Sequence, residues 1–261
     1  MKIYKGQVDW TDSFQELVDC WEEAGYCESA ASENRFSWAF IDRKNAWDDQ
    51  MILLHEHDQV TDLPSSYRAG LFANAQHKTG KPWVYWPRHI KHVTQLLKEG
   101  VPSYEDRPVN SLFVGAVENP VQYVNRTKFD WSLAVDSFDL NISLFSKKPH
   151  KHSNLEFLKL IRGARFGLSL EGYGPKCQRD IEYIANGVVP VFTWKGFNDY
   201  HNPLVENVHY LTARHPREAK QKIKQTSKTK WEEMSSNCVE WFNKNCSIEG
   251  SFKTTMEAIN E

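Results

Sequence analysis

The stretch Ala164-Arg-Phe-Gly-Leu-Ser-Leu-Glu-Gly-Tyr-Gly-Pro-Lys-Cys-Gln-Arg-Asp-Ile-Glu-Tyr-Ile-Ala-Asn-Gly-Val-Val-Pro-Val-Phe192 decides the fold class. It opens on an apolar run of strand length, Ala164–Leu170, and closes on a second, Val188–Thr193. Between them, Lys176–Asn186 reads as a helix, and Pro175 suits its first turn. A strand, a glycine-bearing loop, a helix and a second strand form the unit from which parallel sheets are built.

Working outward, the same alternation continues. Ser111–Ala116 is a strand, Val121–Trp131 a helix and Leu140–Phe145 a strand. Asn154–Arg162 is a helix with Leu155, Leu158 and Ile161 on one face, and Val208–Leu211 is a last short strand. After His215 the pattern is wholly helical. Five strands alternating with helices imply a parallel sheet covered on both faces with right-handed crossovers. Ligands of such sheets bind beyond the carboxyl ends of the strands, where the strand order reverses.

Towards the amino terminus the signals are weaker. Lys2–Tyr4 reads as a strand, followed by a helix with a capping box of Ser13 and Glu16 and with Phe14, Leu17, Val18 and Trp21 at helical spacing. Met51–Leu54 is a buried-strand candidate, Tyr67–Ala75 a helix and Trp83–Trp86 a strand. His89–Glu99 is a helix stopped by Gly100 and Pro102. The polar stretch Val101–Asn110, with two prolines, reads as a linker. The expected domains are 1–105, 106–215 and a helical tail, 216–261, in which Trp231, Val239, Trp241 and Phe242 pack back across the rest.

The bulk numbers restrict the function classes. The chain has 261 residues, 40% hydrophobic and 25% charged, ordinary values for a folded domain or two small ones. Its 32 basic and 34 acidic side chains give a net charge of −2, which argues against a nucleic-acid partner. The basic start of the tail, Arg217 to Lys230, reads as a solvated helix face. Cys20, Cys27, Cys177, Cys238 and Cys246 form no Cys-x-x-Cys and no even framework, so free thiols in a reducing, cytoplasmic setting are expected. No apolar run has signal-peptide length or the ~20 residues of a membrane span. Ten Trp, ten Tyr and fourteen Phe suit either a large core or stacking platforms for sugars and bases.

The loop after Leu170 carries the strongest chemical signal. Gly172 and Gly174 allow close approach of backbone to a ligand, and the free N–H groups of the following helical turn favour phosphate. Lys176 and Arg179 add positive charge, and Glu182, one turn after Arg179, could accept from two ribose hydroxyls. A tight turn that binds nothing, and a surface ion pair of Arg179 with Glu182, are the plainer alternatives. The loop is neither a Walker loop nor a dinucleotide fingerprint, whose third glycine is replaced by Cys177.

Phe166-Gly-Leu-Ser-Leu-Glu-Gly-Tyr-Gly174, Arg179-Asp-Ile-Glu182 and Gly187-Val-Val-Pro-Val191 together resemble the nucleotide-sugar lobe of exostosin-like glycosyltransferases, which are of the GT-B type. Phe113-Val-Gly-Ala116 with Asn125-Arg126 is similar to the strand, loop and helix that open the same lobe. The resemblance spans about Ser111–Leu211. With Val117-Glu-Asn-Pro-Val-Gln122 it looks most like the small xylosyltransferase-like enzymes of large DNA algal viruses, the chloroviruses. It implies a GT-B-like α/β fold of two Rossmann-like lobes with a central cleft, 1–105 facing the acceptor and 106–215 the donor. It assigns Arg179 to the diphosphate, Glu182 to the ribose and Arg126 to phosphate, around the loop of Gly172, Tyr173, Gly174 and Lys176. The implied donor is a UDP-sugar, UDP-xylose above all. The implied acceptor is a glycan, free or on a glycoprotein, and the transfer inverts.

Inversion needs a base for the acceptor proton and positive charge for the departing diphosphate. Asp9 and Asp12 after the first strand and Glu56 in His55-Glu-His-Asp58 are the candidates for the base, with Asp12 favoured. Helix capping accounts equally for the two aspartates, and a solvated loop for Glu56. His55 and His57 raise a metal site, and Glu56-x-Asp58 resembles a metal clamp, but no Asp-x-Asp occurs in the chain. No cofactor is required on this reading. A divalent cation, Mn or Mg, bridging the sugar diphosphate is the open alternative. A nucleotide- or sugar-binding module without turnover is the rival function.

Overall fold

The computed structural model describes residues 2–4, 12–29, 38–40, 52–56, 67–71, 81–82, 87–144, 151–172, 177–194 and 201–260. They form two compact units: one comprises Met1–Lys91, Asn198–Pro203 and Asn243–Glu261, the other His92–Phe197 and Leu204–Phe242.

The described strands of the first unit are β1 (Lys2–Tyr4), β2 (Glu28–Ser29), β3 (Trp38–Phe40), β4 (Ile52–Glu56), β5 (Tyr67–Leu71) and β6 (Lys81–Pro82). They line up as β2-β1-β3-β4-β5-β6, every pair parallel. Helix α1 (Asp12–Glu23) follows β1, starting one residue before the expected cap Ser13. The expected helix Tyr67–Ala75 is instead strand β5, in which Ala69 pairs with Leu54 and Leu71 with Glu56. Helix-favouring Ala and Leu misdirect the reading here, while Gly70 weakens a helix and pairing along β4 supplies the backbone bonds. At the carboxyl end of β4, Glu56 is the last strand residue, not part of a loop. The expected strand 83–86 lies outside the described residues. The C-terminal helix α8 (Ile248–Asn260) packs on α1, β5 and β6. Trp21 Nε1 of α1 donates to Ser251 Oγ at 3.0 Å, and Phe252 stacks on Tyr26.

Helix α2 (Ile90–Leu97) spans the boundary between the units, which falls at 91/92. In the second unit β7 (Val109–Val117) leads to α3 (Pro120–Thr127), β8 (Ser137–Ile142), α4 (Asn154–Arg162), β9 (Ala164–Ser169), α5 (Gln178–Ala185), β10 (Val189–Phe192) and β11 (Leu211–Thr212). The parallel order is β11-β10-β9-β7-β8. The inner strands bury nearly every residue, so they read as unbroken apolar runs rather than alternating ones. The helix expected over Val121–Trp131 stops at Thr127. Asp130 then accepts from the Ser132 N–H at 3.2 Å, and this short turn drops Trp131 into the core. Strand β8 starts at Ser137 and not Leu140, because pairing with β7 begins at Leu112.

Helices α6 (Pro216–Gln225) and most of α7 (Lys228–Asn245) complete this unit. Trp231, Met234, Cys238 and Phe242 of α7 recur at helical spacing and are buried, with Trp231 and Met234 in the core formed by Phe166, Leu168, Val189 and Val191. Val239 is only half-buried. The stretch read as a linker, 101–110, lies inside this unit. Its Arg107 is fully buried and donates to the carbonyls of Pro102, Arg162, Ala164 and Asn186. Two of these end α4 and α5, where helix carbonyls lack partners and a cation is favoured. The five cysteines form no disulfide. Among the described residues no helix is long and apolar enough to cross a membrane.

Candidate functional site

Strand β7 lies between β8 and β9, so the order of the second sheet reverses there, and a crevice is expected beyond the carboxyl ends of β7 and β9. Two helices deliver arginines to that edge. Helix α3 starts where Asn119 accepts from the Gln122 N–H at 2.9 Å and Pro120 opens the first turn. Its buried side then carries Arg126, whose Nε donates to the Glu171 carbonyl at 3.1 Å and Nη1 to that of Ala116. The preceding Asn125 donates from Nδ2 to the Gly172 carbonyl at 3.1 Å. Carbonyls at the end of β7 and just past β9 are thus tied to one turn of α3.

Helix α5 comes from the other side. Asp180 accepts from the Cys177 N–H at 3.1 Å and from the Ser169 hydroxyl, which closes the first turn against the end of β9. Tyr183 lies flat on β9, because a Cβ at Gly167 would fall 2.6 Å from its ring. This seating directs Arg179 between the strands. Its Nη2 donates to the Leu170 carbonyl at 2.7 Å and its Nη1 lies 3.5 Å from the Val114 carbonyl. The guanidinium sits 4.8 Å from the Phe113 ring centroid. Gly115 leaves room for it: a Cβ there would meet Phe113 at 2.7 Å and Arg179 Nη1 at 3.0 Å.

Both arginines are buried, at 7% and 8% exposure, so neither is a surface residue. Glu182 is 3% exposed, which excludes the surface ion pair as well. Its Oε1 accepts from Asn154 Nδ2 at 3.5 Å. The guanidiniums face neutral carbonyls, and Arg179 Nε is buried with no hydrogen-bond partner among the described residues. Burial first, then the charge of Arg179, pushes the Arg126 pKa down to about 10. Burial pulls Arg179 the same way, but Cys177, Tyr183, Asp180 and Glu182 outweigh it and hold its pKa above the ordinary value. Asp180 is pushed up to about 6 by burial, against the pull of Arg179 and of the Ser169 hydrogen bond. Two desolvated cations side by side on carbonyl dipoles suit an anion with oxygens to share between them.

Arg126, Gly172 and Arg179 therefore come together, and Glu182 lies further along the same helix as Arg179. Tyr173, Gly174 and Lys176 of the same loop lie outside the described residues, as do Asp9, His57 and Asp58. Asp12 opens α1 and Glu56 ends β4, both in the first unit, and their side chains lie outside the described ones. Among the described residues no three metal-ligating side chains cluster. Sequence reasoning missed Asp180, Ser169, Asn125, Asn154 and the need for Gly115. Asp180 was within reach, since Cys177-x-x-Asp180 has the spacing of a capping box.

No family model and no curated protein matches the sequence. Solved structures do. An α1,3-fucosyltransferase is similar over all of this chain and 89% of its own, with a TM-score of 0.56 at 12% identity. The form with GDP-fucose gives 0.52 at 10% identity, over all of this chain and 90% of that one. The fold is glycosyltransferase-like. At these identities the likeness is one of fold.

Proposed function

We propose that the chain is a GT-B glycosyltransferase that takes a sugar from a nucleoside-diphosphate donor and passes it to a glycan with inversion. The observation that carries this is the convergence of Arg126 and Arg179 on the carboxyl ends of β7 and β9, at the reversal of strand order. A diphosphate there would be met by two fixed guanidiniums whose stabilisation grows as the leaving group gains charge. The same two cations could do the work of a bridging metal ion, so Mn or Mg is not required on this reading. Gly172, with Tyr173, Gly174 and Lys176, completes the donor loop, and Glu182 takes the ribose.

The base belongs to the first unit. Asp12 is the favoured carboxylate because it heads α1 directly after β1, where the order β2-β1-β3 reverses. UDP-xylose is the donor that the sequence resemblance favours, while GDP-fucose in the similar fucosyltransferase favours a guanine nucleotide. A thermal-shift panel of UDP, GDP, UDP-xylose, UDP-glucose and GDP-fucose, with and without Mn, separates them, since a ligand of the native state raises Tm by mass action. A shift confined to one nucleotide, followed by transfer to a glycan, supports the proposal. No shift with any of them refutes it. Binding without turnover would favour the alternative, a nucleotide- or sugar-binding module.

A further inference from the structure

A line of polar contacts runs through three helices to Glu182. Asn154, the first residue of α4, faces Glu182 of α5 on one side and His92 of α2 on the other. The atoms fix the roles. An ionised carboxylate only accepts, so the Asn154 group 3.5 Å from Glu182 Oε1 is its NH2. The Asn154 carbonyl oxygen must then face His92 Nδ1, 2.9 Å away. Since a carbonyl only accepts, His92 donates from Nδ1, and it does so whether the ring is neutral or charged. The short contact holds the amide in place, and the longer one guides the carboxylate.

Resting on the donor-site reading above, we propose that Asn154 is a positioning residue for ribose recognition, set by His92. It turns the Glu182 carboxylate so that its oxygens meet the two vicinal hydroxyls of the donor's ribose. Holding two hydroxyls at once demands a fixed carboxylate plane, and the Asn154 contact helps to set it. Asn154 therefore acts on the discrimination between ribose and deoxyribose more than on nucleotide affinity as such. Nothing in the capping of α4 needs this side chain. Ser153 and Glu156 form that box alone, and Asn154 is half-exposed, so its truncation leaves the helix intact.

The test uses the full chain, calorimetric titration, and the nucleoside diphosphate that the wild type binds (UDP or GDP) beside its 2′-deoxy counterpart. For Asn154→Ala the ratio of the two dissociation constants should fall about tenfold, the scale for one hydrogen bond to a charged group. Binding of the deoxy compound and the melting temperature should stay unchanged. His92→Ala should move the ratio the same way by less. Glu182→Gln should remove most of the ratio, and adding Asn154→Ala to it should change nothing more, since both act through one contact. Equal weakening of both nucleotides by Asn154→Ala, or none, with the ratio still lost in Glu182→Gln, overturns the role of Asn154. An undiminished ratio in Glu182→Gln, or a wild type that binds neither nucleotide, overturns the donor-site reading and this inference with it.

Discussion

Replacing Asp180 by Asn tests whether the crevice at β7 and β9 is as dry as its geometry implies. Asp180 is 1% exposed, and its two oxygens accept from Ser169 and from the Cys177 N–H. Burial raises its pKa from the ordinary 3.8 to about 6, in spite of Arg179, the Ser169 hydroxyl and Arg126. A raised carboxyl pKa means that between these values the folded chain binds a proton which the unfolded chain has lost. Stability contributed by the protonated form is therefore present at low pH and falls as pH rises through about 4 to 6, by up to roughly 3 kcal/mol.

Asparagine fits the same place: its carbonyl can accept from Cys177, and its NH2 can donate to Ser169 Oγ once that hydroxyl turns. Asp180→Asn should then lack this decline, and the stability difference between variant and wild type should grow in the variant's favour as pH rises from 4 to 6.5. Other titrating groups cancel in the difference. Urea unfolding at several pH values measures it. Parallel stability profiles would refute the argument, because Asp180 would then titrate alike folded and unfolded. A bound diphosphate adds negative charge beside Asp180, so donor binding near pH 6 should take up protons. Titration in two buffers of different ionisation heat detects this.

Arg179→Ala should weaken nucleoside-diphosphate binding by about 2–5 kcal/mol, read by calorimetry, and unchanged affinity would remove Arg179 from the site. Arg179→Lys should recover little of it, because an ammonium cannot span the Leu170 and Val114 carbonyls while stacking on Phe113. Gly115→Ala should cost about 1–3 kcal/mol of stability from overpacking against Phe113, measured by urea unfolding, and should displace Arg179 enough to lower donor affinity. Asp12→Asn should abolish transfer while donor binding persists, compared by product assay and calorimetry; full activity would clear Asp12 of the base role.

The second sheet was legible because its inner strands are buried on both faces and its helices are amphipathic, so period and run length mark each element. Helix α4 matches its sequence reading residue for residue. The first sheet was not. Strands β2 and β3 have two and three residues, too few for periodicity to register, and β5 owes its form to pairing along β4. In the crevice Arg126, Arg179 and Glu182 announced themselves, and the residues that hold them did not. Asn154 and Asp180 stand in the first turns of helices, where Asn and Asp occur for capping alone. Gly115 lies inside Phe113-Val-Gly-Ala116, but only the position of Arg179 shows why a side chain is excluded there.

Three buried arginines of the second unit show how one residue type is given opposite work at the two edges of a parallel sheet. At the amino edge, Arg107 spends its donors on four carbonyls, two of them at helix ends, beneath the ring of Trp231, 5.1 Å away. Its charge is absorbed by the fold. At the carboxyl edge, Arg126 and Arg179 have fewer carbonyls, the charge of Arg179 helps to lower the Arg126 pKa, and Arg179 Nε has no hydrogen-bond partner among the described residues. Their charge is positioned and not consumed, which is what an anion site requires. The two edges should therefore separate in experiment. Arg107→Ala strands several buried acceptors at about 1–3 kcal/mol each and should lower stability in urea by roughly 3 kcal/mol or more, with donor affinity of the folded chain unchanged. Arg126→Ala should weaken nucleoside-diphosphate binding, which Arg107→Ala leaves unchanged, beside a smaller stability cost for the two carbonyls it holds. If Arg107→Ala reduced affinity as much as Arg126→Ala did, the distinction between a spent and an available charge would fail.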